Sequence, residues 1–216
     1  MNSFRFKNVT EGNLLLYDHH SSRKVPVLGK HSKRIISGAW SEQQLLALVG
    51  EDRVLSISNE EGDTLTQTLL KGEPNQLKFG QLTGGGGMAA VGQVGSNDLR
   101  TVSGTTETLD VTSETDNCIS LVLNRKQLLL LLVHTPTEQP NVLAFAERYG
   151  DIIDYEWLTQ QEQLLVTFTN GYAVLLSSLA AQLGQELVYV KVFKDQLTHV
   201  AFSRSNQKLV LAARNT

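Results

Sequence analysis

Short hydrophobic segments separated by polar turns recur along the whole chain. Six of them are rich in leucine, valine and isoleucine and span residues 13–17, 45–49, 54–58, 128–133, 164–168 and 172–176. The pair Asn170-Gly171 between the last two segments is a strong signal for a tight β-hairpin. No long stretch keeps a helical spacing of hydrophobic positions, although residues 178–183 could form a short turn. The pattern therefore predicts successive antiparallel strands and an all-β chain.

Aromatic residues mark an internal repeat. Trp40, Phe79, Trp157 and Phe202 each follow a β-type segment, and they are separated by 39, 78 and 45 residues. With a repeat of roughly 40–45 residues, the 78-residue interval holds one repeat and about 36 additional residues. We expect the four aromatic side chains to occupy the same core position in successive repeats.

The additional residues have a composition of their own. Residues 83–117 contain four consecutive glycines, at positions 84–87, and a tract rich in Thr, Ser, Glu and Asp over residues 103–116. Such composition is typical of a flexible linker. The sequence therefore predicts a flexible insertion within one repeat.

Four strands in each repeat predict a WD40-like β-propeller that occupies residues 1–216. We expect about three full blades and two partial ones, which correspond to residues 13–28, 34–69, 77–145, 152–192 and 197–213. A propeller closes on itself, and the usual number of blades begins at four. We therefore expect a fragment of a longer propeller, and the alternative is that the two partial blades complete each other.

A more specific resemblance is carried by the early part of the chain. Residues 12–19, 22–35, 45–52 and 54–64 read GNLLLYDH, SRKVPVLGKHSKRI, LLALVGED and VLSISNEEGDT. This stretch resembles the N-terminal propeller of the intraflagellar transport protein 144 family, whose members are subunits of intraflagellar transport complex A. The similarity to ordinary WD40 repeats is looser, because only Gly29-Lys30-His31 and Tyr17-Asp18 match their usual signature.

The resemblance implies a non-enzymatic scaffold that supports retrograde intraflagellar transport, cilium assembly and the delivery of membrane proteins to the cilium. It implies other complex A subunits and ciliary cargo or adaptor proteins as partners, and a location in the cilium, at its base and in the cytoplasm. It implies no cofactor and no catalytic residue. The alternatives are a generic WD40 adaptor, a truncated product without an independent role, and a metal-dependent propeller hydrolase.

Composition limits the partners further. The 216 residues are 41% hydrophobic, which is enough for a buried core, and the formal net charge is −3. This balance lacks the basic excess that drives binding to phosphate backbones, so nucleic acid is not an expected partner. The most hydrophobic run, residues 128–133, is far shorter than the roughly 20 residues of a membrane-spanning helix. We therefore predict no transmembrane segment.

Three groups of residues could carry chemistry, and each has a simpler interpretation. Asp18-His19-His20 has the side chains of a metal site, but adjacent residues of a strand point to opposite faces, which favours an exposed turn. The glycine tract lacks the Lys and Ser/Thr of a phosphate loop. Cys118 is the only cysteine, which excludes an intrachain disulfide, and it begins a hydrophobic run in which it packs as a small apolar residue. We expect no metal, cofactor or catalytic site.

One short stretch concentrates positive charge. It contains Arg23, Lys24, Lys30, His31, Lys33 and Arg34. These residues are the candidate interaction surface, which could dock an acidic partner or lipid headgroups. The favoured interpretation is a solvated loop between blades, because few charges are involved and the whole chain is slightly acidic.

Overall fold

The computed structural model describes residues 14–18, 22–27, 30–83, 117–134, 140–158, 162–194, 196–203, 206 and 208–214. These residues form strands and two short 3-10 helices, Glu147–Tyr149 and Ala180–Gln182. The strands are β1 Leu14–Asp18, β2 Arg23–Val27, β3 Ile35–Trp40, β4 Leu46–Gly50, β5 Val54–Ser58, β6 Thr64–Leu69, β7 Pro74–Gly80, β8 Cys118–Leu123, β9 Gln127–Leu132, β10 Asn141–Ala144, β11 Ile152–Leu158, β12 Gln163–Phe168, β13 Tyr172–Ser177, β14 Glu186–Lys191, β15 Leu197–Ser203 and β16 Lys208–Ala213.

The strands form one sheet for each predicted blade. Three sheets have four strands each, in the orders β3-β4-β5-β6, β10-β9-β8-β7 and β11-β12-β13-β14. Two sheets have two strands each, β1-β2 and β15-β16. The prediction of an all-β chain with three full and two partial blades is therefore confirmed. Nearly all of the predicted insertion, residues 84–116, lies outside the described residues.

The repeat is visible in the backbone as well as in the sheets. The first strand of a blade has a register irregularity near its start in β3, β11 and β15. In two of these blades, the N–H of the residue after the second strand donates to the carbonyl of the residue before the first strand. The bonds are Glu51 N–H to the Arg34 oxygen at 2.9 Å and Thr169 N–H to the Asp151 oxygen at 2.8 Å. The same irregularity and the same bond recur because each blade is one copy of a single structural unit.

The predicted hairpin at Asn170-Gly171 joins β12 and β13. Gly171 has a φ of 79°, and its N–H donates to the Phe168 oxygen at 3.1 Å. Positive φ is the conformation that tight hairpins require and that glycine adopts at little cost. The predicted short turn after β13 contains the 3-10 helix Ala180–Gln182.

The chain divides into two compact units, residues 1–79 and 80–216. In the first unit, the central strand β4 is buried along its whole length. A small core there consists of Leu14, Leu46 and Leu48, with Trp40 packed against it. The first of the repeat aromatics is thus partly buried against a core to which both β1 and β4 contribute.

The second unit has a larger core, to which strands β8 to β13 all contribute. It is formed by Leu82, Cys118, Val122, Leu128, Leu130, Leu143, Tyr149, Ile152, Tyr155, Trp157, Leu164, Val166, Phe168, Val174, Leu176 and Leu183. Within it, the Tyr149 ring stacks on Phe168 with 5.1 Å between centroids and meets Tyr172 edge-on at 5.0 Å. Burial of these side chains is the main stabilising contribution to the unit.

Candidate interaction surface

A buried histidine connects two turns of the first complete blade. His31 Nδ1 lies 3.0 Å from Asp52 Oδ1, and His31 Nε2 lies 3.0 Å from Ser56 Oγ. An ionised carboxylate can only accept hydrogen bonds, so Nδ1 donates to Asp52, while Nε2 pairs with the Ser56 hydroxyl. The imidazole therefore fixes the segment before β3 to the β4–β5 turn and to β5.

Asp52 is held in its ionised form at the centre of this group. Burial alone would raise the pKa of its carboxyl, but the hydrogen bonds from His31 and from the N–H groups of Ser32 and Val54 outweigh burial and lower that pKa. The two backbone amides donate at 2.8 Å and 3.2 Å. Gly50 leaves the necessary space, since a Cβ there would stand 2.7 Å from both Asp52 Oδ1 and His31 Nδ1.

The group has the residue types of a hydrolase triad but not its accessibility. Ser56 is 0% exposed and lies within β5, where no substrate can approach its hydroxyl. The arrangement Asp52–His31–Ser56 is therefore structural. The sequence contained a signal for the structural role of His31, because Gly29-Lys30-His31 matches the WD40 signature. The prediction instead grouped His31 with the neighbouring cations as a candidate interaction surface.

The six residues of the basic stretch have different environments. His31 is buried, as described above, and Lys30 donates a hydrogen bond to Thr64 Oγ1. Arg34 pairs with Glu51 at 2.7 Å. Arg23 and Lys24 lie exposed on β2, and Lys33 is exposed between β2 and β3. His31, Lys30 and Arg34 thus have contacts within their own unit. The other three cations of the stretch, Arg23, Lys24 and Lys33, are exposed.

A second buried polar network links β8 to β11 in the second unit. The Trp157 indole N–H donates to Ser120 Oγ at 2.8 Å, and Ser120 Oγ lies 3.1 Å from the Tyr155 hydroxyl. The Tyr155 O–H donates in turn to the Ser120 backbone oxygen at 2.8 Å. All three side chains are nearly or fully buried, so the bonds satisfy groups that water cannot reach. This network is also structural.

The exposed edge of the same unit has a more accessible polar cluster. The Arg148 guanidinium lies 4.7 Å from the Tyr149 ring centroid and 4.8 Å from that of Tyr189. Arg148 donates to the Tyr149 hydroxyl at 2.7 Å, and that hydroxyl donates to Glu186 Oε2 at 2.8 Å. Burial raises the pKa of the Tyr149 phenol, and the bond to Glu186 raises it further against the opposing effect of Arg148. The phenol therefore stays protonated as a donor.

The strand beside this cluster, β14, carries the most continuous exposed hydrophobic surface among the described residues. Leu187, Val188, Tyr189 and Val190 in β14, and Val192 just beyond its end, are each 42–52% exposed. Single exposed hydrophobic residues are normal on a protein surface, whereas a contiguous group marks an interaction site. No sequence pattern distinguished β14 from the other strands, because its exposure depends on its place at the edge of a sheet.

The remaining chemical candidates yield no site in the described part of the chain. No group of three or more potential metal ligands occurs among the described residues. His19, His20 and the glycine tract at 84–87 lie outside those residues. Cys118 is fully buried in β8, in agreement with its predicted packing role. No helix among the described residues is long and apolar enough to cross a membrane.

Comparison with known proteins identifies the family. A family model described as the WDR19 first beta-propeller matches residues 8–216. The human protein named WD repeat-containing protein 19 is 35% identical over 99% of this chain, and the chain spans 14% of that relative's length. The Caenorhabditis elegans protein named WD repeat-containing protein dyf-2 is 28% identical over 94% of the chain, which spans 13% of it.

The structural comparison agrees. The β-propeller domain of Myceliophteria thermophila Cps50 (Swd1) superimposes with a TM-score of 0.67 over 95% of this chain and 57% of that chain. The sequence identity is 13%, so this likeness concerns the fold alone. The sheets described above are thus blades of a WD40-like β-propeller, and the chain belongs to the WDR19 first β-propeller family.

Proposed function

We propose that the chain is part of a non-enzymatic scaffold subunit of intraflagellar transport complex A. The observation that supports this most strongly is the match to the WDR19 first-propeller family over residues 8–216. The chain spans 14% of the human relative, so the function belongs to the whole protein of which such a propeller is one part. In this role the propeller contributes binding surfaces.

The described residues fit a binding role better than a catalytic one. The Asp52–His31–Ser56 group and the Ser120–Tyr155–Trp157 network are buried and use their polar atoms to join strands. A catalytic group has to contact its substrate, which these groups cannot do. By contrast, the exposed surface of β14 is hydrophobic, with the character of a protein-binding surface.

The proposed partners are other complex A subunits and ciliary cargo or adaptor proteins. The proposed processes are retrograde intraciliary transport, cilium assembly and the delivery of membrane proteins to the cilium. The proposed locations are the cilium, the ciliary base and the cytoplasm. A generic WD40 adaptor outside cilia is the alternative that shares this fold.

Localisation in ciliated cells distinguishes the complex A scaffold from a generic WD40 adaptor. The full-length product of the gene is tagged at its own locus and imaged together with markers of the axoneme and the basal body. We expect enrichment at the ciliary base and within the cilium, with the same tag on an unrelated propeller remaining diffuse. Exclusion of the tagged protein from cilia at all stages of their growth would contradict the proposal.

The hydrolase alternative has a separate test, which does not depend on cilia. Asp18 at the end of β1 and the neighbouring His19 and His20 would have to hold a metal. Purified protein dialysed against zinc or manganese is analysed for bound metal. A content below about 0.1 equivalents excludes the alternative, whereas a full equivalent that is lost in a His19→Ala/His20→Ala variant would support it.

A further inference from the structure

The outer edges of the three complete blades are protected to different degrees. At β6, Gln67 donates to the Lys30 oxygen at 3.3 Å and Thr64 accepts from the Lys30 side chain, so residue 30 covers part of the edge. The outer strand β10 has only four residues. The strand β14 has six residues, and none of the described strands pairs with its outer side. Natural sheets usually blunt a long hydrophobic edge, since it invites another strand to pair with it.

The backbone of β14 presents bonding groups to that open side. The Val192 N–H donates inward to the Gly171 oxygen at 2.8 Å. Because hydrogen-bonded pairs alternate along an antiparallel ladder, Val190, which is opposite Ala173, also bonds inward. The N–H and C=O groups of Tyr189 and Lys191 therefore point outward. They form a short row of donors and acceptors along the free edge.

The side chains of β14 offer hydrophobic contact on both sides of this row. Tyr189 is paired with Val174 of β13 and lies on the same face of the sheet as it does. Lys191, two residues further along β14, lies on that face as well. Val188 and Val190 lie on the opposite face and are 51% and 52% exposed. An added strand would thus place alternate side chains against Tyr189 on one face and against the two valines on the other.

Charge determines which kind of strand fits. Lys191 is exposed, and Arg148 contacts the Tyr189 ring from the same side. The carboxylate of Glu186 is 3.9 Å from the Arg148 guanidinium and also accepts a hydrogen bond from the Tyr149 hydroxyl. Lys191 Nζ lies 5.3 Å from the Tyr172 ring centroid, so this face carries two cations and the single carboxylate of Glu186. The excess of positive charge favours an acidic partner at this edge.

We propose that an acidic extended segment of a partner protein binds by adding a fifth strand to the outer edge of β14. Main-chain hydrogen bonds to Tyr189 and Lys191 provide the pairing, the hydrophobic residues provide the contact area, and Lys191 selects for acidic residues. The inference rests on the proposed scaffold function and specifies one of its binding surfaces. A second copy of this chain is the competing occupant, and the test below distinguishes it.

The direct test uses the purified chain and two fluorescent peptides of about ten residues. Both alternate valine and threonine, and they differ only in carrying glutamates or lysines at their ends. Fluorescence anisotropy measures binding of each peptide at the same ionic strength. We expect the acidic peptide to bind about tenfold more tightly than the basic one, with the difference decreasing as salt is added. Equal binding of both peptides, or no binding of either, would overturn the proposal.

Two variants test whether the acidic peptide binds at the outer edge of β14. Tyr189→Pro removes an outward amide without removing a bond to β13, and we expect it to weaken the acidic peptide at least about tenfold. Lys191→Glu keeps the backbone and should reverse the charge preference. The matched controls are Leu69→Pro, which alters the edge of β6, and Lys71→Glu, which changes the net charge equally; both should bind like the unmodified chain.

The outcomes separate the explanations. Loss of binding with Lys191→Glu at an unchanged thermal midpoint supports the proposal even where Tyr189→Pro fails to fold. Equal weakening by the control variants would overturn it. Concentration-dependent dimerisation in sedimentation that Tyr189→Pro abolishes, without peptide binding, would assign the edge to a second copy. Failure of the peptide test leaves ciliary localisation of the whole protein unaffected, so this inference and the proposed function can fail separately.

Discussion

Gly80 lies directly against the indole ring of Trp157. A Cβ at position 80 would stand 2.2 Å from Trp157 Cε2 and 2.3 Å from Cδ2, which is too close for carbon atoms that are not bonded to each other. Gly80 ends β7, and Trp157 is one of the aromatics that mark the repeat. The close approach fixes the position of the indole, whose N–H then reaches Ser120. A residue without a side chain is therefore required at position 80.

Replacing Gly80 with alanine is expected to destabilise the chain. The added methyl group must displace a buried ring, and overpacking of this kind costs about 1–3 kcal/mol. Urea unfolding monitored by tryptophan fluorescence and circular dichroism measures the loss. A Trp157→Phe background provides the control, because the smaller ring should reduce the cost of Gly80→Ala. Equal costs in the two backgrounds would show that the contact with Trp157 is not the cause.

Replacing Ser120 with alanine removes the acceptor of the Trp157 indole N–H. The Tyr155 hydroxyl loses a donor at the same time, and both groups remain buried. The Tyr155 hydroxyl keeps its bond to the Ser120 backbone oxygen, whereas the Trp157 indole N–H loses its acceptor. Leaving a buried donor unsatisfied costs about 1–3 kcal/mol, which should appear as a lower free energy of unfolding. The control is Thr198→Ala, because the exposed Thr198 hydroxyl also bonds to a strand carbonyl but water can replace it. If both variants lose the same free energy of unfolding, the burial of the Ser120 network is not the cause of the loss.

The stability of the chain should fall in acid partly because of Asp52. Its pKa in the folded state is below the ordinary value of 3.8, so the unfolded chain binds the proton more tightly. The stabilisation is fully present above pH 3.8 and is lost as the pH falls through the lower pKa of the folded state. Asp52→Asn should be less stable at neutral pH and should lose less stability in that acid range.

The adjacent Glu51 gives a matched control for this pH dependence. It pairs with Arg34, but both side chains are largely exposed, and exposed pairs contribute little. We therefore expect Glu51→Gln to keep the acid response of the unmodified chain in urea titrations at several pH values. If Asp52→Asn and the unmodified chain lose stability in parallel between pH 4 and pH 2, the account of Asp52 is wrong.

The exposed cations of the basic stretch can be tested together. Arg23 and Lys24 lie on β2 rather than in the predicted loop, and all three side chains are exposed. We expect their reversal to glutamate to change association with other proteins by less than about twofold, because exposed charges contribute little binding energy. Quantitative co-purification of the full-length variant measures this. A selective loss of one partner, with the chain still folded, would instead identify these residues as a docking surface for acidic groups.

Local signals were sufficient to predict the strands. The short hydrophobic segments and the turn at Asn170-Gly171 depend on neighbouring positions, and β13 and its hairpin occur where these signals predicted them. The spacing of Trp40, Phe79, Trp157 and Phe202 then predicted the blades. The early resemblance gave the family, which the match over residues 8–216 extends beyond the stretch that first suggested it.

The roles of individual polar residues depend on distant contacts and could not be predicted in the same way. His31 is 21 residues from Asp52 and 25 from Ser56, and Ser120 is 35 from Tyr155. A charge count therefore placed His31 on a basic surface, whereas the fold buries it. The exposure of β14 was missed for a related reason, because a hydrophobic strand has the same pattern at an open edge as between two neighbours.

Co-purification tests the proposed function most directly. The full-length gene product, tagged at its own locus, is isolated from ciliated cells and the associated proteins are identified by quantitative mass spectrometry, with an unrelated tagged propeller as the control. We expect the other subunits of intraflagellar transport complex A to be recovered in near-equal amounts with the tagged protein. Recovery of the tagged protein without any complex A subunit, under conditions that preserve the complex itself, would contradict the account.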